Sequence, residues 1–489
     1  MTAKRTLPFA ALACVALLAA APLMAGEAPA GAGDAVDVGS RLELFVDKHL
    51  IGEMRSAEIV LNRLEQAPAS PQPGLEAGYT TVLRDGDLFR MYGRGYMVPG
   101  AYWKNVGKEA GTLNEITLYA ESRDGIHWTR PNLGLFKIDA IDERLLKYAK
   151  ENNVEPTIEQ GNIVMAGEFS VSHNFTPLID ARPCAAAEAR YKAVGGTAYD
   201  KALEEKYGPC GMHAFTSADG IHWKRLRKEP IIPGAWGKFD SQNLIFWSPM
   251  EKRYVAYFRY FAGGRRAIRR STSEDFLRWT DPVDVDANLP EEQLYTNNVH
   301  PYFRAPHIYV APATRYIDGQ RPNTFVIFMT SRDGVHFDRT FGQEVFKETF
   351  GGNRTNYLAW TNGAQTGPKE LSFYDHQQNR FTLRLDGFGS IRAGADGGEM
   401  VTRPLRFRGA ALHINARTAE GGQVRVELQD ADGRPLPGFA LADAVPFTGD
   451  EIAHAASWKA GRDLAPLAGK PIRVRFVLKA ADLYAIRFE

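Results

Sequence analysis

Short runs of alternating hydrophobic and polar residues recur along most of the chain, and their length suits β-strands. Examples are "EITLYAES" at 115–122, "GMHAFTS" at 211–217 and "TFVIFMTS" at 324–331. Many runs come in pairs joined by turn residues, such as Asp85-Gly86 within "YTTVLRDGDLFRMYGRG". The pattern therefore predicts antiparallel hairpins and an all-β fold.

A seven-residue motif follows four of the predicted strands. It reads "SRDGIHW" from Ser122, "SADGIHW" from Ser217, "SEDFLRW" from Ser273 and "SRDGVHF" from Ser331. Ser, Asp and Gly favour tight turns, and the final aromatic ring buries a large apolar surface. We interpret the motif as a structural turn. A shared site built from His127, His222 and His336 is not expected, because equivalent positions on separate repeats do not meet.

The motifs recur every fifty to sixty residues or so, once a polar insertion in the first interval is set aside, and this period is typical of propeller blades. Two hairpins per period make a four-stranded blade. The pattern predicts five blades, at about 78–130, 172–225, 240–281, 299–340 and from about 369 onward. We expect "RLELFVD" (41–47) to complete the fifth blade, so that the ring closes without a free edge.

The pattern changes after the glycine-rich stretch "RAGADGGE". Short alternating strands follow, including "ALHINART", "GQVRVELQD", "PIRVRFVLKA" and "LYAIRFE". These strands predict a small antiparallel β-sandwich over 396–489, after a five-bladed β-propeller over 41–395. Truncation at Gly394 is expected to leave a folded propeller.

The N-terminus has the pattern of a secretory signal peptide. Lys4 and Arg5 precede the apolar run "TLPFAALACVALLAAAPLM", and the small residues Ala25 and Gly26 follow. We expect a signal peptide over 1–25, a flexible leader over 26–40, and export to the periplasm or the medium. A membrane anchor is the alternative, but an alanine-rich run spans a bilayer poorly. No membrane span is expected once the signal is removed.

Composition narrows the class of partner. The chain has 489 residues and a formal net charge of +1, and its Lys and Arg residues are scattered. No nucleic-acid partner is expected, because no basic stripe is present, and the oligomeric state is not predicted. Removal of the predicted signal peptide leaves two cysteines, Cys184 and Cys210. We predict a disulfide between them, with two free thiols as the alternative.

Candidate site residues are polar positions on the predicted innermost strands, which line the axis of a propeller. The carboxylates among them are Glu76, Asp180, Asp240 and Glu370. Paired carboxylates suit the acid–base cleavage of glycosidic bonds. The candidates for binding sugar hydroxyls are His173, Asn174, Gln242, Asn243, His300, Tyr302, Arg304, His307 and Arg354.

Asp240 and Glu370 form the leading catalytic pair. Strand alternation is expected to place Glu370, Ser372 and Tyr374 on one face, opposite the apolar residues between them. Burial beside apolar walls would raise the pKa of Glu370 and keep its proton available near neutral pH. A variant in which His300 or His307 serves as the acid stays open.

The five-blade pattern with these hairpin motifs and inner-strand acids resembles the five-bladed propeller glycoside hydrolases of families 32, 43, 68 and 117. The segments "SHNFTPLID", "FDSQNLIFW" and "NRTNYLAW…ELSFY" are similar to a family 32-like branch of exported bacterial proteins. The resemblance covers roughly 40–395. It implies a glycoside hydrolase with a carbohydrate substrate and no cofactor, with a structural calcium ion at the axis left open.

The chain also departs from those families. It lacks their "NDPNG" and "RDP" motifs, its first-blade acid is Glu76 rather than Asp, and its third-blade acid is Asp240 rather than Glu. Fructan specificity is therefore not carried over. Two alternatives stay open: a sialidase with Arg259, Arg304 and Arg354 as its arginine triad, and a glycan-binding propeller without catalysis.

Overall fold

Two kinds of β-sheet make up the fold: five small antiparallel sheets of four or five strands, and one sheet of ten strands. The computed structural model describes residues 35–75, 77–136, 141–157, 161–320, 323–342, 359–375, 379–459, 461 and 463–489, with the backbone alone for 359–363. Nowhere in these ranges is there a helix of the length and apolar character needed to cross a membrane.

Five short strands precede the first blade. They are β1 (Val36–Gly39), β2 (Leu42–Leu44), β3 (Ile51–Arg55), β4 (Glu58–Leu61) and β5 (Glu65–Gln66). The first four belong to the ten-stranded sheet, whereas β5 belongs to the last blade.

Blade I carries the largest helical insertions. Its strands are β6 (Gly78–Asp85), β7 (Leu88–Tyr96), β8 (Glu115–Ser122), β9 (Trp128–Thr129) and β10 (Ile163–Met165). Helices α1 (Trp103–Val106) and α2 (Lys108–Leu113) lie between β7 and β8, and α3 (Glu143–Asn152) precedes β10. Asp142 caps α3 by accepting a hydrogen bond from the Arg144 amide, which satisfies one of the free donors of the first turn.

Blades II and III follow the same antiparallel order. Blade II comprises β11 (Thr176–Ile179), β12 (Tyr191–Gly195), β13 (Gly211–Ser217), β14 (Lys224–Arg225) and β15 (Ile232–Pro233), with α4 (Lys201–Tyr207) between β12 and β13. Blade III comprises β16 (Leu244–Ser248), β17 (Arg253–Ala262), β18 (Arg265–Ser273) and β19 (Val283–Asp284). Short 3₁₀ turns lie at Val171–His173, Ala187–Ala189, Gly234–Trp236 and Ala465–Leu467.

Blade IV has a broken innermost strand. Its strands are β20 (Gln293–Thr296), β21 (His300–Tyr302), β22 (Ala305–Tyr316) and β23 (Thr324–Ser331). Both β20 and β21 pair with β22, so they are two halves of one inner strand.

Blade V consists of β24 (Ala359–Gly367), β25 (Glu370–Tyr374), β26 (Arg380–Arg384) and the early strand β5. Phe381 of β26 pairs with Gln66 of β5, so the start of the chain closes the ring on its last blade.

The ten-stranded sheet is built around two long strands. Its C-terminal members are β27 (Gly389–Ala393), β28 (Gly398–Thr402), β29 (Leu405–Phe407), β30 (Leu412–Asp430), β31 (Asp450–Ala455) and β32 (Ile472–Phe488). Strand β32 pairs with five others, and the sheet encloses its own apolar core around Leu428, Val474 and Phe476.

The prediction of five blades is confirmed, but several details differ from the structure, and residues 36–39 of the predicted flexible leader over 26–40 form β1. Segment 41–47 does not complete blade V, because Leu42 pairs with Arg487 in β32. The sheets also do not divide at 395/396, because β1 to β4 and β27 already belong to the ten-stranded sheet. The predicted short C-terminal strands are joined into two long strands, β30 and β32. Where the sequence predicted a break, at Gly421–Gly422, the pairing of β30 with β32 has a register shift. The sandwich itself stays a prediction.

The repeated motif forms the same turn each time. In the first copy the Gly125 amide donates to Ser122 Oγ at 2.9 Å, and Asp124 Oδ1 accepts from the amides of Ile126 and His127 at 2.8 Å. The His127 ring lies 2.7 Å from the same Asp124 carboxylate. Equivalent bonds recur in the turns that begin at Ser217, Ser273 and Ser331. The histidines therefore serve their own turns, as predicted.

Tyrosine hydroxyl groups tie three of these turns to the preceding blade. Each donates to the carbonyl of the motif glycine: Tyr92 to Gly220 at 2.8 Å, Tyr257 to Gly334 at 2.6 Å and Tyr374 to Gly125 at 2.6 Å. These glycines have φ between 71° and 76°, a conformation that disfavours side chains. The repeat is thus also the hydrogen-bonding point between neighbouring blades.

The predicted disulfide is absent from the structure. Cys184 is an exposed free thiol, and Cys210 is a partly buried free thiol. The Cys210 sulfur packs against Gly234, where no Cβ could be accommodated.

Candidate functional site

The innermost strands begin at one end of the propeller, and the residues at their starts meet on the axis. Gln242, which precedes β16 of blade III, donates from Nε2 to the Thr80 carbonyl at 3.2 Å and to Thr81 Oγ1 at 2.8 Å. Both threonines belong to β6 of blade I, so Gln242 reaches across the ring. This end of the propeller is called the axis end below.

A hydrogen-bonded chain of three side chains lies at the axis end. His173, in the 3₁₀ turn before β11, contacts Glu115 Oε1 with Nδ1 and Asp240 Oδ1 with Nε2, each at 2.9 Å. His173 and Glu115 are buried, whereas 47% of the Asp240 side chain is exposed. The chain Glu115–His173–Asp240, called the axis triad below, therefore opens to solvent at its aspartate.

The three groups influence each other's protonation. Burial and the nearby charge of Arg94 lower the pKa of His173, but the charge of Glu115 and the hydrogen bonds to Asp240 and Glu115 together outweigh them, and the net pKa is raised. Burial raises the pKa of Asp240, but the hydrogen bond and charge of His173 and then the charge of Arg259 outweigh it, and the net pKa is lowered. Both shifts favour an ion pair between the His173 imidazolium and the half-exposed Asp240 carboxylate.

Two arginine–tyrosine pairs flank the axis triad. The Arg94 guanidinium lies 4.7 Å from the ring centre of Tyr79, and that of Arg259 lies 5.1 Å from the ring centre of Tyr295. Arg259 Nη2 is also 3.9 Å from Asp240 Oδ2. The two tyrosine hydroxyl oxygens are 3.3 Å apart, so the pairs meet beside the aspartate. The arrangement suits proton abstraction or nucleophilic attack by Asp240 on a polar ligand.

Two predicted ligand-binding amides instead support the loop that carries Asp240. Asn174 Nδ2 donates to the carbonyls of Phe239 and Ser241, at 2.6 and 3.0 Å. Asn243 Nδ2 donates to the same two carbonyls, at 3.1 and 2.9 Å. Both residues fix the backbone on either side of Asp240.

His300 lies buried at the start of β21. Its Nδ1 donates to the Asn298 carbonyl at 2.8 Å. Burial lowers the pKa of His300 to about 4, so the ring is neutral at neutral pH. His300 is therefore unsuited to the role of proton donor that the sequence left open.

Four of the predicted site residues pair with buried charges at the opposite end of the propeller. Asp180 follows the end of β11 and binds Lys192 Nζ at 2.7 Å and the Tyr254 hydroxyl at 2.8 Å. Because β11 starts at the axis end, its last residue lies a strand length away from Asp240. Asp180 therefore forms a structural ion pair and does not share the site.

Tyr302, Arg304 and His307 hold the propeller to the ten-stranded sheet. The Tyr302 hydroxyl and Arg304 Nε both donate to Asp386 Oδ1, at 2.7 and 2.9 Å. His307 Nε2 lies 2.9 Å from Oε1 of the buried Glu43 in β2. Tyr302 ends the inner strand β21 of blade IV, Arg304 lies in the turn after it, and His307 is at the start of β22.

Glu370 is also separated from Asp240. It begins β25, which runs back from the far end of β24, and it accepts hydrogen bonds from Thr366 Oγ1 at 2.7 Å and Arg380 Nη1 at 2.9 Å. It lines a cleft of about 960 Å³ between blade V and the ten-stranded sheet, together with Tyr484. The face prediction for β25 is correct, because Arg380 also binds Ser372, but the catalytic pairing is not supported.

Two predicted residues, Glu76 and Arg354, lie outside the described residues. Their roles stay predictions. Among the residues that the structure describes, no group of three or more His, Cys, Asp or Glu side chains is arranged to hold a metal ion. The expectation of no cofactor stays a prediction as well.

The sequence interpretation missed Glu115, Arg94, Tyr79 and Tyr295, and it considered Arg259 only for a sialidase triad. It searched the innermost strands for polar residues, whereas Arg94 lies on a second strand and Glu115 on a third. A usable signal was present, since Glu115 is a charged residue directly before the apolar run of β8.

No family model matches the chain, and no curated protein matches it. Three solved structures show the range of similarity. A glycoside hydrolase family 43 arabinoxylan arabinofuranohydrolase from Bacillus subtilis is 13% identical, with 85% of this chain and 96% of that chain covered and a TM-score of 0.38. A GH32 β-fructofuranosidase from Bombyx mori is 9% identical, with 88% and 95% covered and a TM-score of 0.38.

A family 117 glycoside hydrolase from Zobellia galactanivorans is 13% identical, with 70% of this chain and 93% of that chain covered and a TM-score of 0.34. At these identities and TM-scores we carry no activity, substrate or residue role over to this chain. The fold assignment rests on the strand pairing described above.

Proposed function

We propose that the protein is a glycoside hydrolase that cleaves an oligo- or polysaccharide at the axis end of the propeller. The observation that carries the proposal is the axis triad, in which a buried histidine and glutamate present one exposed, ionised aspartate. The arginine–tyrosine pairs around Asp240 place guanidinium and phenol donors beside the aspartate, where they suit the hydroxyl groups of a ligand. Donors of this kind around a carboxylate suit a neutral polyhydroxylated ligand.

In the proposed reaction Asp240 acts as the base or as the nucleophile. As a base it takes a proton from water while the water oxygen bonds to the anomeric carbon and the glycosidic C–O bond breaks. The leaving oxygen takes a proton from a second acid, and Glu76 stays the predicted candidate. Glu115 is a positioning residue, because it lies behind His173 and orients the imidazole.

Product analysis on a broad glycan panel tests the activity, and two amide variants test the site. Asp240→Asn is expected to lower kcat at least about a hundredfold, the scale of acid–base catalysis. Glu370→Gln removes a carboxylate at the opposite end and is the matched control, expected to keep nearly full kcat. Full activity of Asp240→Asn on a glycan that the wild type cleaves would overturn the site.

A sialidase is less well supported. Arg304 of its expected arginine triad is bound to Asp386 at the far end, and Arg354 lies outside the described residues. A glycan-binding propeller without catalysis is distinguished by retention of a glycan with no products formed. We also propose that the protein is exported through its segment 1–25, which the N-terminal mass of the mature protein tests.

A further inference from the structure

Exposed aromatic side chains border the axis triad on two sides. Tyr102 and Trp103, at the start of the blade I insertion, are 38% and 50% exposed. Phe261 is 40% exposed and follows Arg259 by two residues on β17. A contiguous exposed apolar patch rimmed by polar groups can mark a surface that binds a ligand, and Tyr102 and Trp103 are adjacent in sequence.

A continuous set of contacts joins these rings to the triad. On the blade I side, Arg94 lies 3.0 Å from the His173 ring and 5.7 Å from the Tyr96 ring centre. Tyr96 makes an edge-on contact with Tyr102 at 5.0 Å, and Trp103 is the next residue. The aromatic surface therefore extends outward from the site itself.

The blade III side shows the same arrangement on a smaller scale. The Arg259 guanidinium lies 5.6 Å from the Phe261 ring centre and 3.9 Å from Asp240. Arg259 thus connects the aspartate directly to an exposed aromatic ring, whereas on the blade I side the connection runs through His173, Arg94 and Tyr96.

The backbone that carries Trp103 is held in place, although its ring is exposed. The fully buried Asn114 side chain accepts from the Val98 amide at 2.8 Å and donates to the carbonyls of Val98 and Ala101 at 2.9 Å. Gly111 packs so closely that a Cβ there would lie 2.4 Å from the Trp103 nitrogen. A fixed backbone leaves only the side-chain torsions of Trp103 to be ordered when a ligand docks on its ring.

We propose that Tyr102 and Trp103 form an outer subsite, on which a sugar ring beyond the cleaved bond stacks its apolar face. Phe261 contacts the same glycan on the opposite side of the axis triad. This inference rests on the proposed function and narrows its substrate class to extended glycans. In this proposal the blade I insertion sets the preference for long glycans, and Asp240 takes part in cleaving the bond.

The test compares Trp103→Ala with Phe303→Ala on the full chain. Phe303 is 38% exposed and lies next to Arg304 at the far end of the propeller, so it is a matched control. Loss of one ring stack is expected to lower kcat/KM about tenfold on the polysaccharide that the wild type cleaves. The shortest cleaved oligosaccharide is expected to lose far less, and Phe303→Ala is expected to change neither value.

If Trp103→Ala lowers kcat/KM equally on long and short substrates, or not at all on the polysaccharide, the proposed subsite is wrong. Neither result contradicts the proposed hydrolase activity. Gel retardation in the same polysaccharides separates the two proposals. If the wild type cleaves nothing but is retarded, and Trp103→Ala abolishes the retardation, the subsite holds and the hydrolase fails. If the wild type is neither active nor retarded, the subsite is wrong. It is also wrong if the only effect of Trp103→Ala is to dissociate a dimer, as measured by analytical sedimentation.

Discussion

Asp240 and His173 show how single residues acquire reactivity from their neighbours. His173 is almost completely buried, a setting that ordinarily favours the neutral ring, yet Glu115 raises its pKa above the ordinary value. The protonated ring in turn lowers the pKa of Asp240. Glu115 therefore influences the protonation of Asp240 only through His173.

The raised pKa of His173 predicts a pH-dependent stability. A histidine whose pKa is higher in the folded than in the unfolded chain stabilises the fold fully below the unfolded value, near 6.5, and this contribution is lost as the pH rises through the folded pKa. The difference in unfolding free energy between wild type and His173→Gln should therefore shrink from pH 6 to more alkaline values.

Urea unfolding of both proteins across this pH range measures the difference. His222→Gln is the control, because His222 is an exposed ring bound only within its own turn. A difference for His173→Gln that grows with rising pH would contradict the proposed charge state of the axis triad.

At the scale of elements, the repeated turn is a connector between blades as well as a hairpin. Its glycine has a positive φ and also faces a tyrosine hydroxyl of the preceding blade. The sequence interpretation identified the turn chemistry from the motif letters. It did not identify the tyrosines, because they lie on other blades, far away in sequence.

This double role predicts unequal costs for two glycine substitutions. Gly220 and Gly86 have φ of 74° and 60°, so alanine at either should lose about 1 kcal/mol to backbone strain. A Cβ at Gly220 would also lie 2.7 Å from the Tyr92 hydroxyl, whereas one at Gly86 meets nothing within 4 Å. Gly220→Ala should therefore lose about 1–3 kcal/mol more, as in overpacked cores.

Denaturant unfolding of Gly220→Ala and Gly86→Ala measures both costs. Adding Tyr92→Phe should relieve part of the loss in Gly220→Ala, since it removes the clashing oxygen. Equal losses for the two alanine variants would show that the contact between blades contributes nothing measurable.

At the scale of the whole molecule, the two sheet systems are interleaved along the chain. Strands β1 to β4 come before the propeller in sequence but pair in the ten-stranded sheet, and Phe45 and Leu50 lie in that sheet's core. By contrast, the ion pair of Lys192 with Asp180 lies entirely within blade II of the propeller.

Truncation after Gly394 is therefore expected to fail, contrary to the sequence-based expectation. It removes β28 to β32, so β1, β2 and β3 lose their partners and β27 loses one neighbour, and the unpaired edges and exposed apolar side chains favour aggregation. Size-exclusion chromatography and circular dichroism of the truncated protein test this. A monomeric, cooperatively folding product would show that the propeller stands alone.

The sequence by itself determined the local structure. The two-residue alternation fixed which residues face the core of each strand, and the Ser-x-Asp-Gly letters fixed the turns, because both depend on neighbours a few residues away. The same information was enough to count five blades. It also selected Asp240, His173 and Gln242, which lie close to the starts of inner strands.

Only the tertiary structure decided which end of the propeller each polar residue occupies and which strand closes the ring. Alternation places Glu370 on a face of β25 but carries no information on its distance from Asp240. Ring closure by β5 and the pairing of Leu42 with Arg487 join segments hundreds of residues apart. Such contacts are selected by packing of the complete fold, and so the site emerged only when blades I, II and III met at the axis.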